Sequence, residues 1–200
     1  MEPSSGEKVG ARAPAAVFLV GFMGAGKTSV GRALGQRLNW VFEDLDERIE
    51  RRERRTVAEI FHDSGEIVFR CAEHSALREL LAELRGGGSR IIALGGGAFV
   101  REENAALLRA SGLPTVFLDA PVDELWQRCM NQAKRQQIER PLRSNRERFG
   151  ELYETRRKSY ARASLAIQTC NRDVEAIAAE IAERLGLKEM AIRIEPGEVE

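Results

Sequence analysis

The eight residues Gly21-Phe22-Met23-Gly24-Ala25-Gly26-Lys27-Thr28 satisfy every defined position of G-x-x-x-x-G-K-[ST]. Backbone N–H groups surround phosphate oxygens only where no Cβ intrudes, so Gly24, Ala25 and Gly26 suit a phosphate cradle, and a helix starting after them adds its partial positive charge. Lys27 would reach the β- and γ-phosphates of ATP, Thr28 would offer its hydroxyl to Mg²⁺, and Ser29 is counted with the ATP-binding set. An ordinary glycine-rich turn would not require Lys and then Thr after its last glycine. The motif specifies a nucleotide and leaves the acceptor open.

A second group able to do chemistry is Phe42-Glu43-Asp44-Leu45-Asp46. If it ends a strand, the two-residue period places Asp44 and Asp46 on one side of the chain, towards the carboxyl edge of a sheet where ligands of open α/β folds bind. Asp44 could then hold the metal or its waters, and Asp46 could take the proton of an attacking hydroxyl. The plainer alternative has Asp46 cap a helix beginning near Glu47.

The elements needed to position these groups are legible as alternating patterns. Short apolar runs at Ala16–Val20, Trp40–Phe42, Arg90–Leu94, Thr115–Leu118 and Ser164–Gln168 read as strands, each followed by a helix-like stretch. That alternation predicts the α/β class, a five-stranded parallel sheet flanked by helices. Ile67, Cys71, His74, Leu77, Leu80, Leu81 and Leu84 recur at helical spacing and are expected on one buried face, ended by Gly86, Gly87 and Gly88. Val174, Ile177, Ala178, Ile181 and Leu185 predict a closing amphipathic helix. Residues 1–14 and 188–200 read as tails around one domain spanning 15–187.

Composition narrows the function classes. With 31 basic and 31 acidic side chains the formal charge is zero, so no global field favours nucleic acid or an anionic membrane. No apolar run approaches the roughly 20 residues of a membrane span, and the N-terminal stretch lacks the apolar centre of a secretory signal. A cytoplasmic monomer is expected. Cys71, Cys129 and Cys170 form neither a C-x-x-C pair nor a disulfide framework, and Cys71 with His74 gives two ligands that His62 is not placed to complete.

Three further landmarks follow in order: Gly65-Glu66-Ile67-Val68-Phe69-Arg70-Cys71-Ala72-Glu73, Leu94-Gly95-Gly96-Gly97-Ala98 and Glu139-Arg140-Pro141-Leu142. With the phosphate loop and Asp44-Leu45-Asp46, this ordered set resembles the shikimate kinase family from about Ala16 to about Leu187. The resemblance implies a P-loop kinase with a mobile lid near 129–147, moving the γ-phosphate of ATP to the 3-hydroxyl of shikimate. It implies that Arg70 grips the shikimate carboxylate as a planar fork, though a surface pair with Glu66 or Glu73 is the alternative at that spacing. Gly95, Gly96 and Gly97 would let a polyol approach the backbone.

The segment from Arg128 to Lys158 carries ten basic residues against four acidic ones. By resemblance Arg140 is the lid arginine that stabilises transition-state charge, Arg128 lies near the adenine, and Arg156 of the R-x-x-x-Y segment is the second acceptor arginine, with Arg157 its competitor. The chain departs from the family in a longer stretch between Arg128 and Arg140, in the absence of Pro between Arg156 and Tyr160, and in an arginine, Arg54 or Arg55, where a glycine is common. Rival readings are another small-metabolite kinase, such as a gluconate or nucleoside monophosphate kinase, and a nucleotide-binding regulatory or RNA-binding module.

Overall fold

The computed structural model describes residues 16–136 and 145–188, with the side chains of 133–136 outside the description. Five strands, β1 (Ala16–Val20), β2 (Val41–Asp44), β3 (Arg90–Ala93), β4 (Thr115–Asp119) and β5 (Leu165–Gln168), form one sheet in the order β2-β3-β1-β4-β5. Every neighbouring pair is parallel. The helices are α1 (Lys27–Leu38), α2 (Leu45–Glu53), α3 (Val57–Arg85), α4 (Glu102–Ser111), α5 (Val122–Gln136), α6 (Arg146–Tyr160) and α7 (Val174–Arg184), with a 3-10 turn at Ala98–Val100.

Burial explains why these runs became strands and where they sit. The central strands β1 and β4 are buried at every residue, as helices on both faces require, whereas the edge strand β5 alternates buried and exposed. β2, the other edge, runs two residues further than its apolar content suggests. Its polar end is stabilised by cross-strand charge, Arg90 Nη1 lying 3.1 Å from Glu43 Oε2. Chain order reverses on either side of β1, which opens a crevice at its carboxyl end between the loops after β3 and β4.

The expected buried face of α3 needs correction. Leu77, Leu80, Leu81 and Leu84 are buried, but between Gly65 and Leu77 the buried positions are Phe69, Glu73 and Ala76, while Ile67 is 80% exposed and Cys71 is exposed. Two physical causes combine. Gly65, at φ 80°, breaks the helix and resets its first turn, and a glutamate occupies the stripe where hydropathy alone would not place one. The closing helix behaves as expected, with Ile177, Ala178, Ile181 and Ala182 buried and Asp173 as its N-cap.

Candidate active site

The phosphate loop joins β1 to α1. Gly26 forms the N-cap in a left-handed conformation (φ 92°), no side chain caps the helix, and no acidic residue lies in its first turn. The leading N–H donors are therefore uncapped by any side chain, the arrangement that attracts a phosphate. Lys27 folds back into the loop, its Nζ donating to the carbonyls of Gly21 at 2.9 Å and Phe22 at 3.0 Å. Burial lowers its pKa, and the carboxylates of Asp46 and Asp44 act in the opposite direction. Thr28 and Ser29 are exposed in the first turn of α1, and Thr28 Oγ1 lies 3.4 Å from Asp44 Oδ2.

The two carboxylates do not share a strand. Asp44 ends β2 and caps α2, its Oδ1 accepting from the N–H of Asp46 at 3.0 Å. The capping role considered for Asp46 thus belongs to Asp44, and Asp46 is the second residue of the helix, in its first turn. Its Oδ1 is buried with no hydrogen-bond partner among the described residues, and a Cβ on Gly95 would lie 2.5 Å from it. A carboxylate oxygen held without a partner against bare backbone is ready to accept a hydrogen bond from a ligand hydroxyl. Burial and, next, the Asp44 charge raise its pKa to about 6, against the pull of Lys27.

Arg70 makes both of the pairs considered for it, at 3.0 Å to Glu66 and 3.1 Å to Glu73, yet it is not a surface residue, with its side chain 14% exposed. Its guanidinium lies close under Gly97, where a Cβ would come within 2.5 Å. Glu73 is fully buried, and burial raises its pKa to about 7 despite the Arg70 charge. From the other side, Arg156 Nη1 donates to the Gly96 carbonyl at 3.1 Å, and the buried Tyr160 hydroxyl donates to the same oxygen. Arg157 turns away to Asp119, 3.0 Å distant, so of the adjacent arginines it is Arg156 that faces the loop after β3. Arg70, Gly97 and Arg156 line one cavity of about 520 Å³.

On the nucleotide side, Arg128 donates to the carbonyl of Thr169 at 2.8 Å and to that of Gly24 at 3.4 Å, bridging α5 to the phosphate loop. Arg140 lies outside the described residues, as does the middle of the expected lid. Glu73 and Tyr160 were not among the expected site residues. The signal for Glu73 was its place three residues after Arg70, and for Tyr160 its place four after Arg156.

A phosphate-binding loop on the central strand of a parallel sheet, with the buried Asp46 carboxylate beside it and a cavity lined by Arg70 and Arg156 beyond, defines a P-loop kinase of small acceptors. The family model described as shikimate kinase matches residues 23–186. A shikimate kinase of Cereibacter sphaeroides is 41% identical over 183 residues, covering 92% of this chain and 88% of that protein. Two solved shikimate kinases superpose with a TM-score of 0.74 each. The one from Acinetobacter baumannii, in complex with shikimate, is 31% identical and covers 86% of this chain and 92% of that one; the one from Bacteroides thetaiotaomicron is 30% identical, at 88% and 100%. A gluconokinase from Sinorhizobium meliloti, 19% identical with a TM-score of 0.55, shares the fold alone. This chain belongs to the shikimate kinase family.

Proposed function

We propose that the chain transfers the γ-phosphoryl group of MgATP to the 3-hydroxyl of shikimate, giving shikimate 3-phosphate and ADP. The observation that carries this reading is Asp46 Oδ1, buried against Gly95 with no hydrogen-bond partner among the described residues. The acceptor carboxylate binds the forks of Arg70 and Arg156, and its ring lies against the backbone of Gly95, Gly96 and Gly97. That pose brings the 3-hydroxyl to Asp46. Its oxygen attacks the γ-phosphorus, the bond to the β,γ-bridging oxygen breaks, ADP leaves, and the hydroxyl proton passes to Asp46.

Lys27 and the N–H groups of Gly24, Ala25, Gly26, Thr28 and Ser29 hold the phosphates. Arg128 takes the adenine side, and Arg140, by family resemblance, meets the developing charge. Thr28 and Asp44 present adjacent oxygen donors of the hard kind that Mg²⁺ prefers, so they would hold the ion, which neutralises phosphate charge when bound. The same reading has one kinase domain acting as a cytoplasmic monomer without nucleic-acid or membrane partners. No helix among the described residues is long and apolar enough to cross a membrane. The test is ADP release with MgATP and shikimate, gluconate, a nucleoside monophosphate or no acceptor. Fast turnover with shikimate alone supports the reading, and turnover with another acceptor overturns the choice of acceptor.

A further inference from the structure

Asp119 is a buried carboxylate at the carboxyl end of β4 that the transfer reaction does not use. It is heavily engaged. Its Oδ1 accepts from the Tyr153 hydroxyl at 3.0 Å, and its Oδ2 accepts from Arg157 at 3.0 Å and from Gln168 Nε2 at 3.2 Å. Its own position is fixed through the backbone, because its carbonyl accepts from the Thr169 N–H at 2.8 Å and from the Thr169 hydroxyl at 3.2 Å. Thr169 is in turn the partner of Arg128.

Tyr153 and Arg157 are four residues apart and so stack on one face of α6, about one turn from each other. Arg156 lies roughly 100° further round the same helix. Rotation of α6 about its axis therefore decides whether Arg156 or Arg157 faces the loop after β3. Aromatic packing holds the helix sideways against the phosphate loop, with Phe22 edge-on to Phe149 at 5.0 Å and to Tyr153 at 5.6 Å. Ring contacts tolerate small rotations, and the Tyr160 hydroxyl anchors only the end of α6 at the Gly96 carbonyl, whereas a carboxylate taking a hydroxyl and a guanidinium from successive turns fixes the helix ahead of that anchor.

We infer that Asp119 is a positioning residue for the acceptor: by receiving Tyr153 and Arg157 together, it sets the rotation of α6 that aims Arg156 at Gly96 and the acceptor carboxylate. Neither Asp119 nor Arg157 lines the cavity of Arg70, Gly97 and Arg156. This rests on Arg156 being an acceptor-binding group, and its effect must run through that residue.

The test is steady-state kinetics of the full chain with MgATP and shikimate for wild type, D119N, R157A, R157K, R156A and R157A/R156A. R157A and D119N are expected to raise the shikimate KM about five- to twentyfold, with kcat and the ATP KM changed less than about threefold, the size of one charge-assisted hydrogen bond lost indirectly. R157K should recover most of the loss. In the R156A background, R157A should add less than about twofold, because the group it positions is already gone. Arg157 is half exposed, so R157A carries the test even if D119N fails to fold. An unchanged shikimate KM in R157A, or a loss that multiplies fully with that of R156A, would overturn the positioning role. Absence of wild-type turnover with shikimate would instead overturn the acceptor assignment, and titration calorimetry of the carboxylated acceptor that is turned over would then read the same cycle.

Discussion

Asp46 combines two properties that pull against each other. In the proposed reaction it takes the hydroxyl proton, yet its burial makes its ionised form costly. Asp46→Asn is expected to reduce kcat by at least a thousandfold while leaving ATP affinity within about threefold, checked by single-turnover kinetics and nucleotide titration. Near-normal turnover would remove Asp46 from its role. The pH profile of kcat/KM should rise through about 6 as Asp46 ionises. Stability should run the other way. Asp46 and Glu73 bind protons more tightly folded, at about 6 and about 7, than at their unfolded values of 3.8 and 4.5. Between those limits the folded state holds more protons, so their contribution falls as pH rises from about 4 to 7. Asp46→Asn should therefore unfold at a higher urea concentration than wild type at pH 7.5, by on the order of 1 kcal/mol, with the difference shrinking towards pH 4. Arg70→Ala should raise the acceptor KM by roughly tenfold or more, since it removes charge-assisted bonds to a carboxylate, and an unchanged KM would place Arg70 outside the site.

At the scale of elements, α2 and α3 show how local chemistry shapes the acceptor side. Of Arg54 and Arg55, one of which stands where the family commonly has glycine, Arg54 is the C-cap of α2, held at φ 53° in the left-handed region. An L-residue there carries roughly 1 kcal/mol of strain that glycine avoids. Arg54→Gly is expected to raise the urea midpoint slightly, by up to about 1 kcal/mol, with kinetics unchanged; a lower midpoint would mean that the arginine contributes contacts worth more than its strain. Two residues later Thr56 and Glu59 form a complete capping box that starts α3. Thr56→Ala should lower stability by about 1 kcal/mol in the same assay.

Across the whole molecule, rigidity is distributed from the sheet outwards. β1 and β4 are fully buried and pair with each other, whereas the stretch around Gly65 bends the long helix and leaves Phe61, Ile67 and Val68 exposed. Hydrogen exchange should accordingly be slowest in β1 and β4 and faster by orders of magnitude between Phe61 and Val68. Equal protection in the two regions would contradict a rigid nucleotide platform facing a softer acceptor side. The sequence by itself determined the class, the phosphate loop and the order of landmarks, because these depend on local residue types and on hydrophobic period. It misplaced the upper face of α3, since a charged Glu73 looks like a surface residue until Arg70 is brought beside it. It left open whether Asp46 caps a helix or faces the site, and which of the adjacent Arg156 and Arg157 turns towards Gly96. Those choices turn on long-range partners, Gly95 against Asp46 and Asp119 against Arg157, which come together only when the strands and helices that carry them are packed.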